Sequence, residues 1–343
     1  KQLNKTLLSS NGKYPVINGG IMPSGYWNEY NYTENLITIS QGGASAGYVN
    51  FIDTKFWAGA HCYVIVKVDS KINYRYVYHF LKSKENELQN SQVGAGIPSV
   101  SLKDINNLYI AVPPLEVQCE IVHILDDFTL LSAELSAELK ARKRQYEYYR
   151  NNLLTFNENV PRKSISELCY LLAGGDIDKR KVYKEINNEY NIPVISNGVG
   201  KNAIYGYTNQ YKVEAPALTL SGRGTIGYCE LRKESFYPIV RLICIKPKKK
   251  SVNISFLKYY IETIKFKVPT TGIPQLTVPM ISNYKIPVPP VEEQEKIVNI
   301  LNRFDRLCND ISEGLPAEIE ARRKQYEYYR DKLLDFKEEK NDG

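Results

Sequence analysis

The sequence lacks any long hydrophobic run. Its longest apolar stretches, "NIPVIS" (191–196) and "LYIAVPPL" (108–115), fall far short of the roughly 20 apolar residues a membrane span requires, so no membrane segment is expected. The opening "KQLNKTLLSSNGKYP" has neither the apolar core of a signal peptide nor a starting Met. It reads as cut from something longer, with a cytosolic location expected. Six cysteines (62, 119, 169, 229, 244, 308) are scattered singly, without a C-x-x-C, and the histidines His61, His79 and His123 form no H-E-x-x-H. Reduced, mostly buried thiols and no metal site are expected. There is no G-x-x-x-x-G-K-[ST] to cradle a nucleotide phosphate, no G-x-S-x-G and no cluster of His with carboxylates. The two "VPP" sequences also lack the Asn or Asp, and the aromatic, of an amino-methyltransferase motif. The chain is expected not to be an enzyme by itself.

What the sequence does contain is a balanced composition and a repeat. At 343 residues, 43% hydrophobic and 24% charged, it has room for two ordinary domains, each with its own core. The net charge of +7 permits nucleic-acid binding without demanding it. The 27 tyrosines supply apolar rings with hydrogen-bonding tips, suited to helix interfaces and wet binding surfaces.

"GIPSVSLKDINNLYIAVPPLEVQCEIVHILDDF" (96–128) aligns with "GIPQLTVPMISNYKIPVPPVEEQEKIVNILNRF" (272–304) at a constant offset of 176. "RKRQYEYYRNNLLTF" (142–156) returns as "RKQYEYYRDKLLDF" (323–336), and "LITISQGGASAGYV" (36–49) parallels "ALTLSGRGTIGYC" (217–229). The whole chain is therefore a tandem duplication. The helical ends are nearly identical between copies, whereas the first hundred-odd residues of each share only a skeleton of Gly, Pro and alternating apolar positions. The second copy opens with "KSISELCYLLAGGDI" (163–177), for which the first has no equivalent.

After Pro113 and Pro114 a helix can begin, with Glu116 and Glu120 favouring its positive end. Steps of four and three then run through Ile121, Leu125, Phe128, Ser132, Leu135, Leu139, Arg142, Tyr146, Tyr149, Leu153 and Phe156. This is a heptad seam, the signature of a coiled coil. The second copy runs through Ile297, Leu301, Phe304, Cys308, Ile311, Leu315, Ile319, Arg322, Tyr326, Tyr329, Leu333 and Phe336, one extra step of four longer. The extra step falls at "EGLP" (313–316), where Gly314 and Pro316 predict a break. Two matched seams in one chain most simply pair with each other, and a seam of 36 residues at about 1.5 Å per residue spans roughly 54 Å. On B-DNA, at 3.4 Å per base pair, that is roughly 15 base pairs.

Residues 1–112 and 163–288 read as short strands punctuated by Gly, Asn and Pro, with helices expected over 73–91 and 255–267. Each is an α+β domain. The loops 40–47 and 221–227 sit between strands, and the second contains a literal G-x-G-x-x-G (Gly222, Gly224, Gly227). The residues after Gly227 are strand-like and no acidic residue lies about twenty positions on, so a tight hairpin is a better reading than a dinucleotide site. "KPKKK" (246–250) reads as a solvated loop.

The pattern P-P-[LV]-E-x-Q-x-x-I-V-x-I-L followed by A-R-[KR]-[KR]-Q-Y-E-Y-Y-R-x-x-L-L-x-F, present twice and each time after a variable domain, resembles the specificity subunit of type I restriction-modification systems. The resemblance covers essentially the whole chain. It implies an α+β tandem duplication: target recognition domains at 1–112 and 163–288, each reading half of a bipartite DNA site. The repeated helices, 113–156 and 289–338, would pair as an antiparallel coiled coil acting as a ruler, with a linker at 157–162 and a disordered tail at 339–343. It also implies docking of two modification (methyltransferase) subunits, joined by restriction subunits. S-adenosylmethionine, ATP and Mg would belong to those partners, with no cofactor on this chain.

DNA-contact candidates are Asn18, Tyr26, Asn28, Ser40, Gln41, Ser45 and Lys55 in the first domain. In the second they are Asn197, Lys201, Tyr207, Asn209, Ser221, Arg223, Thr225, Arg232 and Lys233. Helix pairing is assigned to Leu125, Phe128, Leu135, Leu139, Tyr146, Tyr149 and Leu153 with Leu301, Phe304, Ile311, Ile319, Tyr326, Tyr329 and Leu333. Partner docking is assigned to Pro113, Pro114, Gln118, Pro289, Pro290 and Gln294. The competing readings are a coiled-coil scaffold that never touches DNA, and an anti-restriction or solitary decoy form of the subunit.

Overall fold

The computed structural model of the chain describes residues 3–90, 98–269, 272–310 and 312–336. Gly96 and Ile97 of the first G-I-P, Ser91 at the end of an expected helix, Ile311 of the seam and the 339–343 tail lie outside them. The chain divides into two compact units, Lys1–Ala137 with Ala317–Gly343, and Glu138–Pro316.

In chain order the first unit contains β1 (Tyr14–Ile17), β2 (Tyr26–Trp27), β3 (Leu36–Ser40), β4 (Val49–Ile52), β5 (Trp57–Ala58), β6 (Cys62–Ile65), α1 (Tyr74–Ser83), α2 (Glu85–Asn90), α3 (Leu102–Asn106) and the first part of α4 (Leu115–Leu153). The second contains the rest of α4, then β7 (Arg162–Ser164), α5 (Ile165–Leu168), β8 (Cys169–Ala173), β9 (Ile192–Ile195), β10 (Ile204–Thr208), β11 (Ala217–Leu220), β12 (Cys229–Arg232), β13 (Tyr237–Pro238), β14 (Ile243–Pro247), α6 (Ile254–Ile261), α7 (Val278–Ser282), β15 (Lys285–Pro287) and α8 (Val291–Asn309). Then α9 (Leu315–Leu333) begins, and from Ala317 on it belongs to the first unit.

The duplication is visible strand by strand. β4-β3-β6 in the first unit corresponds to β12-β11-β14 in the second, and β2-β1-β5 to β10-β9-β13. Val16 pairs with Trp57 as Val194 pairs with Tyr237, both in parallel register. Ile37 and Ile39 of β3, and Leu218 and Leu220 of β11, are fully buried, as expected for central strands packed against a helix. The opening segment of the second unit supplies β7, which pairs with β15, and β8, which pairs with β14. The helix expected over 73–91 is divided into α1 and α2 at Lys84, next to which the Glu85 carboxylate accepts the Val49 N–H (2.8 Å).

Each unit contains an antiparallel helix pair built from the heptad seam. In the first, Phe128 of α4 stacks on Tyr329 of α9 (5.5 Å between centroids, 18° between planes), and Leu125 shares a cluster with Tyr326 and Leu333. In the second, Tyr149 of α4 stacks on Phe304 of α8 (5.5 Å, 27°), and Leu153 and Tyr146 join Ile297 and Leu301. Phe128 and Phe304 are repeat equivalents, as are Tyr149 and Tyr329, so both units use the same aromatic pair. Leu135, Leu139 and Ile319 are half-buried.

The expected break is present. α8 ends at Asn309 and α9 starts at Leu315 with Pro316 in its first turn. A Cβ on Gly314 would lie 2.7 Å from the Asp310 carbonyl oxygen and closer still to that of Arg306, so only glycine lets the chain pass there.

The seam does more than pair helices, because α1 and α6 pack onto it. Buried Tyr76 meets Ile121 and Leu125, and buried Phe256 and Tyr259 meet Ile297 and Leu301. In the first unit His79, fully buried, contacts Asp126 (2.8 Å) and Tyr326 (3.4 Å), while Arg75 pairs with the same carboxylate (2.8 Å). In the second, the equivalent contact is neutral: the Tyr259 hydroxyl donates to Asn302 (2.7 Å).

Burial holds His79 down to about 4 against the opposing pull of Asp126. Burial also works against the Asp126 carboxylate, but hydrogen bonds from Arg75 and His79 leave it below its usual value. A His with a lowered folded pKa takes up its proton more readily when unfolded. Its contribution is therefore intact above about pH 6.5 and is lost as pH falls toward 4, by up to about 3 kcal/mol. The Asp126 contribution is lost at still lower pH, in the same direction. Melting temperatures between pH 7 and 4.5 should fall more steeply for the wild type than for a variant carrying His79→Tyr and Asp126→Asn, the residues of the second unit. Parallel curves would contradict this assignment.

Candidate nucleic-acid interface

In each unit, chain segments from two different sheets are tied together around the central hairpin. In the second unit the β11–β12 hairpin closes through Gly227 N–H to Ser221 O (3.0 Å) and Tyr228 N–H to Thr225 O (3.0 Å). Gly222 lies at its base. A Cβ there would meet Arg241 O at 2.6 Å and Leu276 O at 2.8 Å, which accounts for the first glycine of the G-x-G-x-x-G. Strand β12 comes next, where a nucleotide site would need a helix, as the hairpin reading expects.

Asn197 fastens this hairpin to its neighbour. Its side-chain oxygen accepts the Gly222 N–H (2.8 Å), and its amide donates to Val240 O. Val240 and Arg241 occupy left-handed backbone (φ 43° and 63°), which costs a non-glycine residue on the order of 1–3 kcal/mol. The corner is held by Val240 N–H to Gly175 O (3.2 Å) and Arg241 N–H to Gly174 O (3.3 Å). It borders a cleft of about 360 Å³ lined by Asp176, Lys179, Ser196, Asn197, Tyr205 and Val240. Arg241 is exposed and Arg223 half-buried, and neither has an ion pair among the described residues.

The first unit builds the same frame with other side chains. Gly47 N–H closes onto Ser40 O (2.8 Å), and Gln41 N–H donates to the carbonyl of His61 (3.0 Å), the residue in the position of Arg241. Gln41 O accepts from Val100 as Gly222 O accepts from Leu276, both at 2.8 Å. The frame is common and the exposed side chains are not.

A second pair of matching clefts lies on the flanks. One of about 410 Å³ includes Lys13, Pro15, Tyr26 and Asn50, and its counterpart of about 370 Å³ includes Pro193, Tyr207, Arg232 and Lys233.

The sequence-derived candidates therefore separate. Gln41, Ser45, Asn197, Lys201, Arg223 and Thr225 belong to the loop end, and Tyr26, Tyr207, Arg232 and Lys233 to the flanking clefts. Asn28 and Asn209 are exposed, and Lys55 lies over the Tyr30 ring (4.8 Å). Several candidates need correction. Ser40 and Ser221 are buried at the bases of their hairpins and offer little surface to a ligand. Asn197 uses its amide on the frame, and Asn18 donates to Ser24 in the β1–β2 connection (3.0 Å). Arg232 is committed to Glu230 (2.8 Å) and Thr219 (3.1 Å), which leaves it little to offer a ligand. Arg241, His61 and Lys179 are additions that the sequence did not single out. A lone Arg between "FYPIV" and "LICIK" was the available signal, since a charge between two apolar strands marks a turn.

The docking candidates are corrected more sharply. Gln118 and Gln294 are fully buried, each making three hydrogen bonds inside its own unit. Pro289 is buried and Pro113 half-buried, while Pro114 and Pro290 are exposed. Polar residues in the first turn of a helix ordinarily face water. Here the preceding domain covers them.

Among the described residues no group of three or more His, Cys, Asp and Glu could hold a metal ion, and no helix is long and apolar enough to cross a membrane. Cys169, Cys229, Cys244 and Cys308 are buried and Cys119 is exposed. Burial pushes the thiols of Cys62, Cys169 and Cys244 up to about 12, away from reactive thiolate.

Residues 1–142 and 157–321 match the family described as the type I restriction modification DNA specificity domain. A Mycoplasma pneumoniae protein provisionally assigned as a type I specificity subunit is 32% identical over 322 residues, 90% of this chain and 95% of that one. The EcoR124I/EcoR124II specificity subunit of Escherichia coli is 33% identical over 297 residues, 78% of this chain and 72% of its own. The crystal structure of the type I restriction-modification S subunit from M. genitalium shares the fold, with a TM-score of 0.68 over 98% of this chain and 93% of that one at 19% identity. With two copies of the domain in tandem and relatives above 30% identity along most of its length, the chain belongs to the type I restriction-modification DNA specificity family.

Proposed function

We propose that the protein reads a bipartite DNA site. Each unit presents its tied loop end to one half-site, and the repeated helices act as the ruler between them. The observation that carries this reading is the loop frame built twice, with equivalent backbone hydrogen bonds closing each hairpin and tying it to Val100 or Leu276, and with divergent exposed side chains. A common frame with variable tips is what two different sequences read by one mechanism require, with phosphate contacts positioning and base-edge contacts specifying.

The modification (methyltransferase) subunits dock on exposed surfaces of the helices, and restriction subunits complete the nuclease. S-adenosylmethionine, ATP and Mg are then the partners' cofactors. Pro114 and Pro290 remain candidates for docking, whereas the buried glutamines do not.

Arg223→Ala and Arg241→Ala separate base reading from phosphate contact. In filter binding with the modification subunit present, loss of a bidentate base contact should cost about 1–3 kcal/mol on the specific sequence alone. Loss of a phosphate contact should weaken all sequences alike and reduce the salt slope by about one. DNA binding that is independent of salt and sequence would favour a scaffold that does not read DNA.

A further inference from the structure

The two glutamines form one device, made twice. The Gln118 side-chain oxygen accepts the Asn73 N–H (2.8 Å), and its amide donates to Lys71 O (3.1 Å) and Pro113 O (2.7 Å). The Gln294 side-chain oxygen accepts the Asn253 N–H (2.8 Å), and its amide donates to Ser251 O (3.0 Å) and Pro289 O (2.8 Å). Asn73 and Asn253 in turn cap α1 and α6, accepting from Arg75 and Tyr76 and from Ser255 and Phe256. An unbroken line of hydrogen bonds thus runs from the first turn of each long helix, through one buried amide, to the N-cap of the domain helix packed on it.

Most of the surrounding contacts are apolar and without direction, and the other directed ones, Asp126 with Arg75 and His79 in the first unit and Asn302 with Tyr259 in the second, differ between the units whereas the glutamine bonds do not. Tyr76 against Ile121 and Leu125, or Phe256 against Ile297 and Leu301, would tolerate a small rotation of the domain on its helix. The glutamine would not, because three bonds to two separate segments are satisfied in one pose only and a buried amide without partners is costly.

We propose that Gln118 and Gln294 are positioning residues that fix the pose of each recognition domain on its own helix, and through it the gap between the two half-sites. This rests on the proposed reading of a bipartite site.

The test uses the full chain assembled with its modification subunits. Methylation is measured on DNA carrying both half-sites at gaps varied one base pair at a time. Gln118→Leu and Gln294→Leu keep the volume and remove the bonds. Each should raise methylation at gaps one base pair off the preferred one by about tenfold relative to the preferred gap, the scale of one or two lost hydrogen bonds, with the bases read in each half-site unchanged. Gln118→Met and Gln294→Met, unbranched like glutamine, remove the same bonds with less change of shape, so they should broaden the profile in the same way and serve if the leucine forms fold poorly. Equal loss of activity at every gap, with an unchanged profile in both kinds of variant, would overturn the proposal and leave the glutamines a purely structural role. A wild-type complex indifferent to the gap would overturn the bipartite reading itself, and this proposal with it.

Discussion

Removing Glu313 to Pro316 is expected to change the gap between the two half-sites while leaving the bases of both untouched. The first copy counts 18 positions from Phe128 to Tyr146, and the second counts 22 from Phe304 to Tyr326. The excess of four falls at the break between α8 and α9, where Asp310 accepts from the backbone of Ser312 (2.8 Å) and Gly314 threads past Arg306 and Asp310. Without those four residues the second copy has the length and heptad phase of α4, which runs through the equivalent region unbroken. Four residues of helix correspond to about 6 Å of rise, on the order of two base pairs of B-DNA. Sequencing of methylated sites in a host carrying the variant and its modification subunit reads the gap directly. Altered half-sites with an unaltered gap would show that the helices are not the ruler.

Truncating Leu125 or Leu301 to Ala should each cost about 2–5 kcal/mol in chemical denaturation. Both side chains are fully buried where three helices meet: Leu125 with Ile121 and Tyr76, Leu301 with Ile297, Phe256 and Tyr259. Deleting the isopropyl group leaves a cavity bounded by aromatic rings, which cannot close over it without moving the domain helix. Leu135→Ala and Leu139→Ala, at half-buried seam positions, should cost less than half as much. Equal costs at all four positions would mean that the helix seam, not its junction with the domains, dominates stability.

The duplication, the long helices and the break at Gly314 were legible in the sequence because each depends on local spacing. A heptad seam, a Pro-Pro start and a Gly-x-Pro interruption constrain the backbone whatever surrounds them. The docking of α1 and α6 onto the seam was not legible. Tyr326 and Tyr146 read as partners for another long helix, and nothing in their spacing says that His79 or Tyr259 arrives from a short helix elsewhere in the chain. Gln118 and Gln294 were misread for a related reason, since a polar residue in a first helical turn is a surface residue until a neighbouring domain covers it. Within the loop ends, the glycines mark the hairpins, but the spacing does not say that Ser40 and Ser221, offered as contact residues, are buried at the hairpin bases. Arg241 stayed unnoticed because its prominence comes from a left-handed backbone that only three-dimensional ties impose.

The central claim, that two loop ends on one scaffold read two separate half-sites, is tested most directly by methylome sequencing in a host carrying this chain and its modification subunit. The predicted result is a single methylated motif of two short specific sequences separated by a fixed number of unspecified bases, with Arg223→Ala or Arg241→Ala relaxing only one of the two. A contiguous motif without a gap, or one in which a substitution at either residue relaxes both halves together, would contradict it.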